Sequence, residues 1–426
     1  MASASLWLYR VLVAMLLPVA IPVIKLRQRL SRKSRPRFRD RLGRNLPKLP
    51  VGGVWIQAVS VGEVELARGL IAELERRAPD LPIFLTATTA TGLDLARRTV
   101  GDRLPVFPCP IDLPGPVSRV FEKARPCLLV LVETELWPET LYQAELGEVP
   151  VAVVNARLSP GSFAGYRRIA GSLRTLLRPL ALVLARSEAD GERFAGLGVP
   201  EERIAVSGNI KYDLEADTRP LEWEDDLRRV AGDRPIMVAG STMEGEEALL
   251  LDALAALGAD GEMPPFLILA PRHPERFDAV AQLLSDRGIV FSRRSSGRPV
   301  RDHADAFLID TIGELARAYR LGRVAFVGGS LVPTGGHNPL EAAVWGVPVL
   351  SGPHVFNFDE VYEEMTSAGA ARLVADGAEL RTAAAVWLED PKLSQATGGA
   401  GREVVERNRG ATARTISALL ELVGRE

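Results

Sequence analysis

The sequence predicts an α/β protein made of two doubly wound halves, each built on a parallel sheet. From residue 54 onward, short apolar runs alternate with amphipathic helical patterns, which is the order that a parallel α/β sheet requires. At 426 residues the chain is long for a single core. An acidic, proline-containing segment at residues 215–233 separates two groups of apolar runs, so we place the domain boundary there.

Eleven apolar runs are predicted to be strands. In the first half these are residues 54–59, 83–86, 128–132, 151–154, 180–184 and 204–206. In the second half these are residues 236–239, 266–269, 306–309, 324–327 and 347–350. The predicted organisation is an N-terminal segment, a first domain, a linker and a second domain, at residues 1–48, 49–214, 215–233 and 234–426. A C-terminal helix at about residues 401–423 is a candidate to pack back across the first half.

The N-terminal segment predicts a membrane anchor with a basic arm. Residues 6–24 are apolar apart from Arg10, and the charge-free part, residues 11–24, would reach roughly 21 Å as a helix. A hydrocarbon core is about 30 Å thick, so the anchor either just spans it or lies in one leaflet. Residues 1–48 hold 12 Lys or Arg and one acidic residue, Asp40, which favours the cytoplasmic side and anionic lipid. A buried core helix and a cleaved signal peptide fit less well, because dense positive charge follows the apolar run.

Composition excludes several classes of protein. Two cysteines, Cys109 and Cys127, are too few for a disulfide framework or a zinc cluster. Nucleic acid is a competing partner for the basic arm, but the remaining chain has no basic face with interleaved aromatic residues. We therefore expect no nucleic-acid partner.

A glycine-rich stretch at residues 327–350, VGGSLVPTGGHNPLEAAVWGVPVL, predicts an anion site. It joins a buried strand, four glycines and a helix start. Asn338 stands at the expected helix start, Pro339 follows where a missing N–H costs nothing, and Glu341 comes three residues after Asn338, as in a capping box. Free N–H groups at such a terminus attract phosphate, although the glycines alone are equally consistent with a tight turn.

Charged residues follow several predicted strands, where ligands of doubly wound folds collect. Glu63 lies just after the first strand, in the first turn of a helix, where it either complements the helix dipole or acts as a general base. Glu133 and Glu135 follow the LLVLV strand, and Lys211 follows the last strand of the first half. In the second half, Arg272 follows a buried strand and can make forked contacts with phosphate.

These motifs together resemble the 3-deoxy-D-manno-octulosonic acid (Kdo) transferases, which decorate lipid A precursors. The matching stretches are WIQAVSVGE, ETELWP, NARLS, GNIKYD, APRHPERF, GGSLVPTGGHNPLE and GPHVFNF, in family order and over nearly the whole chain. The resemblance implies a GT-B fold whose two domains face a cleft, CMP-Kdo as donor and a lipid A precursor as acceptor. It also implies no metal or other cofactor, and an N-terminal anchor on the cytoplasmic face of the inner membrane.

The resemblance implies a role for each residue that stands at a matching position of a family motif. Glu63 matches the general base, while Glu133 and Lys211 match positions that stabilise the transition state. The CMP contacts fall on Pro271, Arg272, Ile312, Gly313, Glu314, Asn338, Pro339, Leu340 and Glu341. The chain departs from the common pattern at four positions, with Gln57 for His, Glu139 for Asn, Arg186 for Gln and Met243 for His.

Two other classes of function compete with Kdo transfer. A nucleotide-sugar isomerase (epimerase) on the same architecture would share the phosphate site, but it needs no lipid acceptor and therefore no basic, apolar N-terminus. A membrane-attached binding protein would keep the nucleotide site without chemistry. The joint presence of Glu63, Glu133 and Lys211 argues against that class.

Overall fold

The computed structural model describes residues 6–16, 18, 38–258 and 264–425. By contacts between residues, the chain divides into two compact units, Met1–Asp213 with Arg409–Glu426, and Leu214–Asn408. Each unit contains a parallel sheet of seven strands. Two parallel α/β halves are therefore confirmed.

The N-terminal segment is described only in part. Residues 6–16 form helix α1, and most of the remaining predicted anchor and basic arm lies outside the described residues. Among the parts of the chain that the structure describes, no helix is both long and apolar enough to cross a bilayer.

The first unit has its sheet in the order β3-β2-β1-β4-β5-β6-β7. Its strands are β1 (Val54–Ala58), β2 (Ile83–Ala87), β3 (Val106–Pro108), β4 (Leu128–Val132), β5 (Val151–Ala156), β6 (Leu180–Ala185) and β7 (Ile204–Val206). Val54 pairs in parallel with Ile83 on one side and with Leu128 on the other, which places β1 at the centre. The central strands are buried on both faces, as their continuous apolar runs predict.

Helices cover both faces of this sheet. They are α2 (Val61–Arg77), α3 (Ala90–Val100), α4 (Pro114–Ala124), α5 (Pro138–Leu146), α6 (Pro160–Arg167), α7 (Ala170–Leu176) and α8 (Glu188–Gly196). Alternate residues of a strand point to opposite faces, so Ile56 packs with α2 and α3 while Trp55 packs with α4 and α5. The Trp55 indole stacks on Phe84 at 5.9 Å between ring centroids and donates to Thr86 Oγ1 at 2.9 Å.

The second unit has the order β10-β11-β9-β8-β12-β13-β14. Its strands are β8 (Ile236–Thr242), β9 (Phe266–Pro271), β10 (Phe291–Arg293), β11 (Ala306–Leu308), β12 (Val324–Val327), β13 (Val349–Ser351) and β14 (Ala371–Leu373). Its helices are α9 (Glu224–Ala231), α10 (Glu246–Leu257), α11 (Phe277–Asp286), α12 (Leu315–Ala318), α13 (Leu340–Ala343), α14 (Asp359–Ser367), α15 (Gly377–Glu389) and α16 (Pro391–Asn408). Helix α9 lies inside the segment that was predicted to be a linker, and its Leu227 is buried.

The structure differs from the sequence-based assignment at short or interrupted elements. Strands β3, β10 and β14 were not predicted, and each has only three residues, too few for a hydrophobic period to show. The predicted C-terminal helix is two helices, α16 and α17 (Ala411–Leu422), because Gly410 adopts a left-handed conformation with φ of 92° between them. Helix α17 packs against α2 in the first unit, whereas the sequence-based division carried the second domain to residue 426.

Candidate active site

Glu63 lies at the carboxyl end of β1, where Ser60 begins α2. The two residues form a reciprocal capping box: Ser60 Oγ accepts from the Glu63 backbone N–H at 3.3 Å, and Glu63 Oε1 accepts from the Ser60 N–H at 3.2 Å. Glu63 also accepts from the Val59 N–H at 2.7 Å and from the Ser60 hydroxyl at 2.8 Å. Only 6% of its surface is exposed, so the carboxylate is oriented by the turn that precedes α2.

The environment of Glu63 suits a general base near neutral pH. Burial raises its pKa to about 7, against the lowering effect of the hydrogen bonds from Val59 and Ser60. The negative charges of Glu135 and Glu133 add to the increase, which also places these two carboxylates in the neighbourhood of Glu63. A base titrating near the operating pH is ionised often enough to accept a proton and is still basic enough to hold it.

We predict an acid limb in the pH profile of activity, because only the ionised carboxylate accepts a proton. The logarithm of kcat/KM should fall by about one unit for each pH unit below about pH 7 and level off above it. Initial rates with the Glu63→Gln variant provide the control, since that variant should lack the limb. A decrease in kcat/KM centred near pH 4.5, the ordinary pKa of a glutamate, would contradict the prediction.

The loop after β4 carries two further carboxylates, Glu133 and Glu135. Glu133 adopts a left-handed backbone with φ of 65°, which is uncommon for a residue with a side chain, and its N–H donates to the Val154 carbonyl at 2.9 Å. The Trp137 indole donates to Glu135 Oε2 at 2.5 Å. Burial raises the pKa of Glu135, and the nearby charge of Glu133 contributes. This strained turn therefore holds Glu133 and Glu135 at the edge where β1 and β4 end.

Lys211 lies at the same edge of the sheet but follows β7, three strands beyond β4 in the sheet order. It occupies a short 3₁₀ helix, Ile210–Tyr212, whose first N–H donates to Asn155 Oδ1 at 3.0 Å. Asn155 is the penultimate residue of β5 and has φ of 50°. The NARLS and GNIKYD motifs are therefore joined by a buried hydrogen bond, which sets where Lys211 leaves the sheet.

In the second unit, the start of the glycine-rich turn is filled by a side chain of the protein itself. The N–H groups of Gly329, Ser330 and Leu331 donate to the Glu246 carboxylate at 2.7, 2.8 and 2.9 Å. Glu246 is fully buried and also accepts from the Met243 N–H at 2.8 Å. This part of the turn is therefore closed to an external anion, because Glu246 already supplies the negative charge. The anion site predicted from the sequence concerned the helix start at Asn338.

The helix start after the turn also differs from the expected capping box. Helix α13 has only four residues and begins at Leu340, with Pro339 in the capping position. Asn338 Oδ1 accepts from the Leu340 N–H at 3.1 Å. Asn338 and Pro339 therefore form a tight turn into α13, and Glu341 is held within one turn of them.

Arg272 lies beside the later part of the glycine-rich turn. It follows Pro271, the last residue of β9, and its N–H donates to the Thr242 carbonyl at 3.0 Å. Burial lowers the pKa of His337 to about 4, and the positive charges of Arg272 and His273 contribute to the decrease. The structure thus brings Arg272 close to the GGHNPLE motif, as the hypothesis of a shared nucleotide site requires.

The loop at residues 311–314 is held from inside the second unit. Glu314 accepts from the Thr311 hydroxyl at 2.5 Å, from Arg294 Nε at 3.1 Å and from the Trp223 indole at 3.1 Å. Burial alone would raise the pKa of Glu314, but these hydrogen bonds outweigh it and lower the pKa. Ile312 is 79% exposed and Gly313 has φ of 95°, so the backbone between them faces outward above a fixed carboxylate.

Comparison with known proteins agrees with these motifs. The family model for 3-deoxy-D-manno-octulosonic-acid transferase matches residues 25–214. A 3-deoxy-D-manno-octulosonic acid transferase of Haemophilus influenzae is 38% identical over 92% of this chain and 93% of its own, and that of Bordetella pertussis is 36% identical over 90% of each. The chain belongs to the Kdo transferase family. The protein is therefore a glycosyltransferase.

Solved structures of lower identity support the fold of this Kdo transferase. The UDP-GlcNAc 2-epimerase of Neisseria meningitidis has a TM-score of 0.59, is 15% identical and covers 87% of this chain and 100% of its own. The MurG protein of Acinetobacter baumannii has a TM-score of 0.54 at 15% identity, with 87% and 99% covered. These neighbours indicate a GT-B-like fold. The likeness to an epimerase concerns the fold alone and does not favour the isomerase alternative.

The four departures from the common family pattern lie in different environments. Glu139 is fully buried and paired with Arg10, and Arg186 lies 3.8 Å from Asp190. Met243 contributes its N–H to Glu246. The amide of Gln57 is buried with no hydrogen-bond partner among the described residues, and nothing in the structure explains it.

Two positioning residues of this Kdo transferase were missed from the sequence. Glu246 bonds to groups 83 to 85 residues away, and Asn155 bonds across 55 residues. Glu246 has one local partner, the Met243 N–H, but its other partners and that of Asn155 are distant in the sequence. The one available signal is that each polar residue stands at, or a few residues after, the carboxyl end of a strand, where the described functional motifs also lie.

Proposed function

We propose that this Kdo transferase moves Kdo from CMP-Kdo to a lipid A precursor in the synthesis of the lipopolysaccharide core. The observation that carries the proposal is Glu63, a buried carboxylate whose pKa is raised to about 7, in a chain 38% identical to a Kdo transferase. A lipid acceptor offers a sugar hydroxyl, which needs a base of this kind to become a nucleophile.

The proposed step balances as a single displacement. Glu63 takes the proton of an acceptor hydroxyl as that oxygen forms a bond to the anomeric carbon of Kdo. The bond from that carbon to the phosphate oxygen of CMP breaks, CMP leaves with the electron pair, and the configuration inverts. Glu133 and Lys211 stabilise the charge that develops during transfer.

The donor is assigned to residues of the second unit. Arg272 is suited to the CMP phosphate through its forked donors. The remaining CMP contacts of the proposal are Pro271, Ile312, Gly313, Glu314, Asn338, Pro339, Leu340 and Glu341. The exposed backbone at Ile312 and Gly313 supports a main-chain contact, whereas Glu314 acts by holding that loop through Arg294 and Thr311.

Mass spectrometry of products tests the reaction. Purified protein with CMP-Kdo and a lipid A precursor should yield CMP and an acceptor heavier by one or more Kdo residues. Activity should persist after treatment with EDTA, since we propose that transfer needs no metal ion. Conversion of a nucleotide sugar without transfer to lipid would favour the isomerase, and binding of CMP-Kdo without any product would favour a binding protein.

We also propose that the N-terminal segment holds the enzyme on the cytoplasmic face of the inner membrane, against anionic lipid. Five apolar side chains of α1 are at least half exposed: Trp7, Leu8, Leu12, Met15 and Leu16. They recur on one side of the helix, as in helices that lie in a bilayer interface. The basic arm that follows supplies charge of the sign that attracts anionic headgroups.

Replacing Leu12, Met15 and Leu16 with serine should weaken binding to vesicles that contain anionic phospholipid by at least tenfold, because roughly 0.8 kcal/mol is lost for each buried methylene and about two methylenes already account for that factor. Co-sedimentation with such vesicles measures the change. Serine at Val386 and Leu393, each 42% exposed on the second unit, is the matched control and should leave binding unchanged. Equal binding by both variants would argue that α1 does not enter lipid.

A further inference from the structure

Helix α1 has a second face, which contacts the first unit through Tyr9 and Arg10. Arg10 Nε donates to Glu139 Oε2 at 2.6 Å and Arg10 Nη2 donates to Glu139 Oε1 at 3.0 Å. The guanidinium also lies 4.9 Å from the ring centroid of Tyr142. The forked pair joins α1 to the first turn of α5.

Glu139 depends on this pair. Its side chain is fully buried, and its other hydrogen bond comes from Gln143 Nε2 at 2.7 Å. A buried carboxylate is costly without an opposite charge, so removing the guanidinium would leave an uncompensated ion inside the first unit. The Arg10 guanidinium is therefore engaged by the protein.

Tyr9 makes the second link, through Asp112. The Tyr9 hydroxyl donates to Asp112 Oδ2 at 2.8 Å. Asp112 also accepts from the backbone N–H groups of Glu139 and Thr140 at 2.9 and 2.8 Å. Trp137, the capping residue of α5, makes no side-chain hydrogen bond to the first turn of this helix, so Asp112 is the carboxylate that caps it.

The capped turn of α5 continues directly into the loop that carries Glu133 and Glu135. Within it, the Trp137 N–H donates to the Glu135 carbonyl at 2.9 Å and the Trp137 indole donates to the Glu135 carboxylate. The start of α5 thus fixes one end of a short, strained loop. A displacement of that start moves Glu135 and Glu133 relative to Glu63.

We propose that Tyr9 and Arg10 are positioning residues, through which α1 sets the geometry of the carboxylate loop that faces the acceptor. The inference rests on the proposed function, since it concerns the acceptor side of that reaction. It assigns α1 a role beyond attachment: the face that contacts protein orients the catalytic loop, and the opposite face is left for lipid.

Steady-state kinetics on acceptor solubilised in detergent test the proposal, because membrane binding then no longer limits the rate. The variants are Tyr9→Phe, which removes only the hydroxyl, Arg10→Met, which keeps the stem, and the two combined. We expect the double variant to lower kcat/KM for the acceptor by about tenfold, with KM for CMP-Kdo unchanged. Arg10→Lys should recover part of the loss, and Arg68→Met, which breaks an exposed pair with Glu65, should have no effect.

A second readout separates positioning from general stability. If the loop moves, its carboxylates shift relative to Glu63. The acid limb of Tyr9→Phe, which leaves the pair between Arg10 and Glu139 intact, should therefore move from that of wild type while its thermal midpoint stays within a few degrees. Normal acceptor kinetics in the double variant would overturn the proposal, as would equal losses for both substrates with a lowered thermal midpoint. Failure of the wild-type enzyme to transfer Kdo would instead overturn the proposed function.

Discussion

Replacing Glu63 with glutamine should lower kcat by 10² to 10⁴, the range that a positioned general base typically contributes. The reason is that the amide cannot accept the proton of the acceptor hydroxyl at any working pH. CMP-Kdo binding should remain close to that of wild type, because the residues assigned to the donor belong to the second unit. Single-turnover rates with saturating donor measure the chemical step directly.

Glutamine is the informative substitution because it preserves the capping box. A glutamine at this position of a helix can still accept from the Ser60 N–H, so the start of α2 keeps its hydrogen bond. Glu63→Ala removes the cap together with the base, and should lose stability as well as activity. Comparison of the two separates chemistry from folding.

Glu65→Gln is the matched control for this prediction. Glu65 lies two residues along the same helix, is exposed and pairs with Arg68 on the surface. Its loss should change kcat by less than twofold, since an exposed ion pair contributes little. Near-normal turnover by Glu63→Gln, with intact donor binding, would remove Glu63 from the role of base.

The fold was predictable where the apolar pattern was long. Strand β4 was assigned with its correct bounds because the run LLVLV is buried on both faces, and the central strands of both sheets were found for the same reason. The edge strands β3, β10 and β14 were missed, because they are short and their pairing is set by neighbours rather than by their own period. The equally short edge strand β7 was found, because all three of its residues are apolar. The break at Gly410 was missed although a glycine marks it, since glycine also occurs inside α16, at Gly398.

The candidate site was predictable to the same degree and for a related reason. The sequence placed Glu63 in the first turn of the helix after the first strand, and the structure confirms that position. The capping box with Ser60 is an additional finding of the structure. The role of Glu246 at the start of the glycine-rich turn was missed, because this carboxylate lies on another helix start. Contacts between distant segments depend on the register of whole strands, which a motif does not contain.

Replacing Glu246 should have the largest effect on the second unit. Its carboxylate accepts four backbone N–H groups, from Met243 at one strand end and from residues 329–331 at the next. Hydrogen bonds to a charged group contribute about 1.5 to 3 kcal/mol, and leaving buried donors unpaired costs more than the bonds themselves contribute. We expect Glu246→Ala to lower the free energy of unfolding by about 3 to 5 kcal/mol.

Glu246→Gln distinguishes the charge from the volume of the side chain. The amide keeps the size, but one of its two ends is an NH₂ group that faces backbone donors and cannot accept from them. We therefore expect a loss of about 2 to 4 kcal/mol in urea denaturation of the full chain at unchanged slope, with weaker CMP binding by calorimetry. Without these bonds the turn no longer has one defined conformation. The GGHNPLE segment that continues from it becomes less ordered as well.

Glu244→Gln supplies the control for the Glu246 variants, because Glu244 lies two residues earlier and is exposed. It should unfold and bind CMP as wild type does. If Glu246→Gln also matched wild type in both measurements, the carboxylate would not be what holds the glycine-rich turn. A fall in stability with normal CMP binding would instead separate this turn from the donor site, since the carboxylate would then stabilise the unit without shaping the nucleotide contacts.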